Sequence, residues 1–162
     1  LIVARGVLFD ITKVLGVDYL KAGQTFSVKN LQDAEKKQGV EVQKGDVVLF
    51  HTGWTDAMLK KFPEKWGAEI PGLTPELAQY LADKEVIAVG SDTYGLDVIP
   101  PVNPMEPFQG HVILLQQNGI YILEAMNTGP LAKEETYEFL FVLGQAKVRG
   151  AVQMYINPIA IK

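Results

Sequence analysis

The stretch Gly110–Glu124, GHVILLQQNGIYILE, places a histidine and a carboxylate on either side of a tight connection, and the rest of the chain can be described as a scaffold around it. Within it, His111–Gln117 predicts a short apolar helix or buried segment, and Ile120–Leu123 is a run of β-formers that predicts a buried strand. Asn118-Gly119 lies between the two and is typical of a tight turn, because both residues tolerate positive φ. The turn should therefore bring the two ends of the stretch to one edge of the core.

Those ends carry a histidine and a carboxylate, which together form the candidate site. Glu124 closes an apolar strand, where an unpaired carboxylate is costly to bury, so we expect a cation, a metal ion or water beside it. His111 is one of only two histidines in the chain. The alternative for His111 is a capping or surface role. The alternative for Glu124 is a side chain in bulk solvent or paired with a lysine or arginine.

Composition narrows the class of protein. A chain of 162 residues, 48% hydrophobic and 21% charged, is long and apolar enough for one globular domain with a hydrophobic core. The net charge of -4 offers no basic face for phosphate, so we expect no nucleic-acid partner. The absence of cysteine excludes disulfides and thiolate metal sites, so a metal would have to be held by His, Asp and Glu.

The chain shows no membrane or export signal. No apolar run reaches the ~20 residues that a bilayer span needs, so we expect no membrane partner. Arg5 follows the first apolar residues at once, which argues against a signal peptide and favours a cytoplasmic protein; a processed or secreted form is the alternative. Leu1 in place of Met is interpreted as an internal start, from processing or truncation.

The hydrophobic pattern predicts an α/β domain. Val47–Phe50 is almost continuously apolar, which is typical of a central strand buried on both faces. Thr74-Pro75-Glu76 combines a cap, a proline and an acid, and predicts a helix that runs to about Lys84. The other predicted elements are strands over Val3–Thr12, Val86–Gly90, Tyr137–Leu143 and Lys147–Tyr155, a helix over Val28–Gln38, a last short strand after Asn157-Pro158, and loops over Lys60–Gly72, Leu96–Gln109 and Ala125–Glu135.

Polar residues follow two of the buried strands. His51 and Trp54 come after one, and Ser91 and Asp92 come after the other. Because sites in α/β proteins usually lie at such strand ends, these four are candidates for contact with a substrate. The alternatives are that His51 hydrogen-bonds a loop, that Trp54 only packs, and that Asp92 and Asp97 hold their loop through side-chain-to-backbone bonds.

Seven short motifs follow one another along the chain in a recognisable order. They are Arg5–Asp10, Lys44–Leu49, His51–Trp54, Pro71–Leu73, Val89–Thr93, His111 and Gly119–Glu124. In this order and spacing they resemble the cyclase family of metal-dependent hydrolases, which includes bacterial kynurenine formamidase and isatin hydrolase. The resemblance covers essentially the whole chain. It implies a kynurenine-formamidase-like (swivelling β/β/α) fold, with a mixed central sheet and few flanking helices.

The resemblance also exposes a gap. The family's His-x-Gly-Thr-His-x-Asp metal motif is absent, since the only histidines are His51 and His111. Residues 1–162 are therefore expected to form a single cyclase-like domain without its N-terminal metal-motif segment, with the remaining metal ligands upstream of Leu1. The Ser91–Asp97 stretch resembles the family's Gly-x-Asp-Thr-x-Ser-x-Asp motif, but Gly95 stands where a serine is usual.

The resemblance implies metal-dependent hydrolysis of a small amide, lactam or formamide. A divalent metal, zinc or manganese, would lower the pKa of its water and polarise the carbonyl group. Glu124 would be an oxygen ligand or a base beside the water, and His111 a nitrogen ligand or a hydrogen-bond partner. Two or three ligands cannot hold a catalytic metal tightly, so the 162-residue chain alone is expected to be inactive.

A hypothesis from another class stays open. The chain would then be a non-catalytic binding or assembly module that kept the scaffold without the metal motif. Under either hypothesis we expect a homo-oligomer, because open sheet edges call for a partner.

Overall fold

Eight strands and seven short or medium α-helices build the protein, and the computed structural model describes residues 1–162 in full. The strands are β1 (Ile2–Asp10), β2 (Thr25–Phe26), β3 (Val47–His51), β4 (Gly72–Leu73), β5 (Ala88–Ser91), β6 (Tyr121–Leu123), β7 (Glu138–Leu143) and β8 (Ile159–Ile161). The helices are α1 (Ile11–Leu15), α2 (Val28–Gln38), α3 (Trp54–Met58), α4 (Pro63–Trp66), α5 (Pro75–Asp83), α6 (Gln109–His111) and α7 (Gly129–Lys133), with a π-helix over Val112–Gln117. None of the helices combines the length and the apolar character that crossing a membrane requires.

Six of the strands form one mixed sheet in the order β6-β5-β3-β1-β7-β8. The strands β1, β3, β5 and β6 are parallel, whereas β7 is antiparallel to β1 and β8 is antiparallel to β7. A separate two-stranded parallel sheet pairs β2 with β4. The predicted α/β fold with a mixed central sheet and few flanking helices is confirmed.

Both faces of the parallel strands are covered, which explains their continuous apolar sequences. On one face, Phe50 belongs to a core to which α2 contributes Leu31, α5 contributes Leu77 and the π-helix contributes Leu114. On the other face, Leu49 belongs to a second core that includes side chains of β7 and α7. All five residues of β3 are buried, so β3 is a central strand as predicted.

Local capping chemistry sets the helix ends that the sequence predicts. The Thr74 hydroxyl accepts a hydrogen bond from the Leu77 amide and Pro75 begins α5, so the predicted start of that helix is confirmed. The helix predicted over Val28–Gln38 is present with those bounds, and Gly39 ends it in the left-handed conformation.

Several predicted boundaries are wrong. Lys147–Tyr155 forms no strand: β8, and not this segment, pairs with β7, and Val152 is almost fully exposed. The loop predicted over Ala125–Glu135 contains α7, which Pro130 helps to start. The loop predicted over Lys60–Gly72 contains α4.

Candidate functional site

The candidate site lies at the carboxyl ends of β5 and β6. Gly90 pairs with Leu123 in the parallel register, so Ser91 and Glu124 leave the sheet side by side. The Glu124 side chain is 28% exposed, and it lies beside His111 rather than beside a lysine or arginine. Glu124 also contributes to a groove of about 410 Å³ on the sheet face formed by Leu49 and Phe139. The carboxylate at the end of this apolar strand therefore lies next to both a histidine and a cavity.

His111 faces Glu124 from the helical segment that precedes β6. Its Nε2 atom lies 3.3 Å from Glu124 Oε1, and its ring is 33% exposed. The backbone makes the approach possible because the π-helix and a turn at Gly119, with φ of +65°, reverse the chain between the two residues. The turn predicted at Asn118-Gly119 thus joins the two ends of the stretch as expected.

Asp97 holds the other side of the same imidazole. Its Oδ2 atom lies 2.6 Å from His111 Nδ1. The backbone amides of Gly110 and His111 donate to the two carboxylate oxygens at 2.7 and 3.0 Å. The three side chains therefore form a row, Asp97–His111–Glu124, with the imidazole in the middle.

The two carboxylates change the acidity of the ring between them. The hydrogen bond with Asp97, and secondly that with Glu124, raise the pKa of His111 from the ordinary 6.5 to about 9. The free protein therefore keeps this ring protonated at neutral pH, so a metal ion that binds Nε2 has to displace a proton.

The pair His111 and Glu124 fits two positions of a divalent metal. Two donors on a tetrahedral zinc ion lie about 3.3 Å apart when each bond is about 2.0–2.1 Å long. The Nε2–Oε1 separation is 3.3 Å, and Asp97 holds the remote ring nitrogen as carboxylates do in many metal sites. Within residues 1–162, however, no group of three or more His, Asp or Glu side chains is arranged to hold a metal.

A second polar cluster lies at the ends of β3 and β5 and is almost completely buried. Asp92 accepts hydrogen bonds from the Thr52 amide at 2.7 Å, the Thr52 hydroxyl at 2.8 Å and the Thr55 amide at 3.2 Å. Burial raises the pKa of Asp92, while nearby His51 opposes the shift. His51 Nδ1 lies 2.8 Å from the hydroxyl of Thr128, so this histidine bridges β3 to the segment before α7.

The remaining predicted contact residues also lie inside the protein. Trp54 is 2% exposed, and its indole N–H donates to the carbonyl of Trp66 at 3.0 Å. The hydroxyl of Ser91 lies 2.6 Å from that of Thr93, and the carbonyl of Ser91 accepts from the Met126 amide. The structure thus places Trp54, His51, Ser91 and Asp92 around the strand ends, and their contact with a substrate stays a prediction.

Two residues near His111 are not distinguished as site residues by the sequence. Asp97 is separated from His111 by 14 positions, and the motif at Ser91–Asp97 is the only signal that points to it. Phe108 precedes α6 in the left-handed conformation with φ of +57°, which is uncommon for an aromatic residue, and its exposed ring lies 6.1 Å from the His111 ring, edge to face. At Gly95, a β-carbon would lie 3.9 Å from Glu124 Oε1, so a serine there would stand beside the carboxylate.

Comparisons with known proteins agree with the fold. The family model that matches is that of the cyclases, over residues 1–98. No curated protein matches the sequence.

Solved structures match over nearly the whole chain. A novel cyclase has 28% identity and a TM-score of 0.84, and the match covers 98% of this chain and 53% of that one. An isatin hydrolase bound to the product analogue thioisatinate has 21% identity and a TM-score of 0.77, with 98% and 59% covered. A potential metal-dependent hydrolase with cyclase activity has 20% identity and a TM-score of 0.67, with 98% and 64% covered. The last two show similarity of fold, and the chain spans little more than half the length of the first two structures.

Proposed function

The chain belongs to the cyclase family, and from that premise we propose that it forms part of the active site of a metal-dependent hydrolase. The proposed substrate is a small amide, lactam or formamide, and the proposed metal is zinc or manganese. The observation that carries the proposal is the pair His111 and Glu124, whose facing Nε2 and Oε1 atoms lie 3.3 Å apart. The side chains of His111 and Glu124 are both partly exposed, so a metal ion bound to them would be accessible to substrate and water, as a catalytic zinc ion must be.

Each residue of the pair has a defined task. His111 would contribute Nε2 as a nitrogen ligand, because Nδ1 is already occupied by Asp97. Glu124 would contribute Oε1 as a ligand, or would take a proton from the attacking water. When bound, the metal supplies Lewis acidity that polarises the carbonyl group and lowers the pKa of a water ligand.

A catalytic metal site needs more ligands than His111 and Glu124 alone. Catalytic zinc sites in proteins have about three protein ligands, and residues 1–162 bring two donors together here. We propose that the other donors come from polypeptide outside these residues. For the same reason, residues 1–162 on their own are expected to bind the metal weakly and to be inactive.

The proposal is tested with the protein expressed from its complete gene. Loaded with zinc or manganese, it should hydrolyse formanilides or small lactams, and Glu124→Gln should lower kcat/KM by at least about 100-fold. Glu134→Gln is the matched control, because Glu134 is exposed and makes none of the contacts of the Asp97–His111–Glu124 row. Failure of the complete protein both to retain metal and to hydrolyse any of these substrates would reject the proposal.

A second candidate function is binding or assembly without catalysis. It is favoured by the observation that no group of three or more His, Asp or Glu side chains within residues 1–162 is arranged to hold a metal. Intact mass and metal content separate the two functions: a complete gene product of about 17.9 kDa without metal supports assembly, and a larger, metal-containing product supports hydrolysis.

A further inference from the structure

The Asp97 carboxylate takes part in hydrogen bonds through both of its oxygens. Its side chain is 9% exposed, and three N–H groups of Gly110 and His111 point at its two oxygens. Two of these donors are backbone amides at the start of α6, and the third position is the His111 ring. One carboxylate thus determines both where the histidine's backbone begins its helix and which way its ring faces.

The position of Asp97 is in turn determined by the small sheet. Leu73 of β4 forms a bridge with Asp97, and the Leu73 amide donates to the carbonyl of Leu96 at 3.1 Å. Gly72 allows this close approach, since a β-carbon on it would lie 2.3 Å from the Asp97 carbonyl carbon. The carboxylate is therefore anchored by elements other than the one that carries His111.

Gly110 is the complementary feature on the histidine side. A β-carbon at Gly110 would lie 2.7 Å from Asp97 Oδ1, closer than real β-carbons come to such atoms. Glycine at this position therefore lets the carboxylate reach the amides of α6. The sequence Gly110-His111 is suited to this contact, and a larger residue in the first position would displace the Asp97 carboxylate.

We infer that Asp97 is a positioning residue, which holds Nδ1 of His111 so that Nε2 is the nitrogen presented toward Glu124 and the metal. The role of Nε2 as a metal ligand rests on the proposed function. The orientation of the His111 ring follows from its contacts alone. Carboxylates that hold the remote nitrogen of a metal-binding histidine typically contribute about 10–100-fold to metal affinity. Asp97 is expected to contribute through His111 without touching the substrate.

The first test observes the ring directly, in metal-free protein at a single pH. The chain has two histidines, so ¹H–¹⁵N long-range spectra contain two imidazoles, and His111→Gln identifies the signals of His111. A proton on Nδ1 shared over 2.6 Å should resonate far downfield. In Asp97→Asn this resonance should disappear or move upfield. The asparagine side chain has one acceptor oxygen, whereas the three donors of Gly110 and His111 bond to two oxygens of Asp97.

The control is Asp46→Asn. Asp46 is also a buried carboxylate, which accepts from Arg5 and from the Gln43 amide, and it lies in the turn before β3 rather than near His111. Asp46→Asn should lower stability while leaving the His111 resonances unchanged. An Asp97→Asn protein that unfolds cooperatively and shows unaltered His111 resonances would overturn the inference.

A second variant approaches the same contact from the other side. Gly110→Ala keeps the carboxylate but forces Asp97 Oδ1 away, and it should change the His111 resonances in the same way. If Asp97→Asn does not fold, Gly110→Ala decides the question alone: altered resonances support the positioning role, and unaltered ones reject it.

Metal affinity separates this inference from the proposed function. In the protein from the complete gene, competition with a chelator should show the zinc dissociation constant rising about 10–100-fold in Asp97→Asn and staying constant in Asp46→Asn. An unsubstituted protein that binds neither zinc nor manganese and hydrolyses none of the substrates would reject the proposed function. Equal zinc affinity in the unsubstituted protein and in Asp97→Asn would reject the role of Asp97 and leave the proposed function standing.

Discussion

A single imidazole lies between two carboxylates in this protein, and its protonation state links stability to pH. Asp97 and Glu124 both favour the charged ring of His111, with Asp97 the stronger partner because of its 2.6 Å contact. The folded protein consequently holds the ring proton more tightly than the unfolded chain does. Any ligand that needs the free lone pair of Nε2 competes with that proton.

The metal-free protein should therefore lose stability as the solution becomes alkaline. The pKa of His111 is about 9 in the folded state and ordinarily 6.5, so its stabilising contribution is complete below pH ~6.5 and is lost as the pH rises through about 9. We expect the difference in Tm between the unsubstituted protein and His111→Gln to shrink over that interval. Scanning calorimetry in the presence of a chelator measures it. A difference that stays constant from pH 6 to 10 would contradict the expectation.

At the scale of elements, the small sheet couples the fold to the site. Strand β4 is two residues long and pairs with β2 on one side, while Ile70 and Leu73 form bridges with Ile99 and Asp97 on the other. The segment that carries Asp97 is thus held to the main body by backbone contacts. The position of this segment would be lost if β4 could not approach it closely.

Gly72→Ala should break this approach. A β-carbon at Gly72 would lie 2.1 Å from the Val98 amide nitrogen, and backbone atoms cannot rotate aside as a side chain can. We expect a loss of at least about 2 kcal/mol in the free energy of unfolding, measured by urea denaturation. The matched control is Gly67→Ala, where a β-carbon would meet no atom within 4 Å and φ is -100°. Equal stabilities of the two variants would show that the small sheet can shift at no cost.

Over the whole molecule, one face of the main sheet is covered unevenly. Helices α2 and α5 and the π-helix cover the parallel strands, but the face formed by β7, β8 and the start of β1 remains open. Cross-strand pairs bring apolar side chains together there: the half-buried Val142 lies between the exposed Val3 and Ile159, and the exposed Leu140 lies opposite the exposed Ile161. Exposed apolar patches of this kind usually mark contact surfaces.

The homo-oligomer expected from the sequence stays a prediction, and this open face is where we expect the contact. Ile161→Lys should shift residues 1–162 toward the monomer in sedimentation velocity at high concentration, because a charge on the face opposes its burial. Val152→Lys is the control, since Val152 is almost fully exposed and lies outside the sheet. A clean monomer of the unsubstituted chain at high concentration would refute the prediction.

Some structural features could not be predicted from the sequence, because they depend on contacts between distant segments and not on neighbouring residues. Lys147–Tyr155 has the composition of a strand, yet a strand forms only where a neighbour offers its edge, and β8 occupies the edge of β7. The sequence favours a loop-holding role for Asp97 through side-chain-to-backbone bonds, and its bonds to two backbone amides agree with that role. Its third bond, to the His111 ring, depends on the distant small sheet and could not be inferred from spacing.

The sequence alone determined the buried central strands, the start of α5 at Thr74, the turn at Asn118-Gly119 and the unusual carboxylate Glu124 after an apolar run. These follow from periodicity, capping and turn chemistry, which act over a few neighbouring residues. Only the tertiary structure decided that Asp97, His111 and Glu124 stand in one row. Their alignment depends on the register of β5 with β6 and on the approach of β4 to Asp97, and such through-space contacts between distant segments leave no local pattern in the chain.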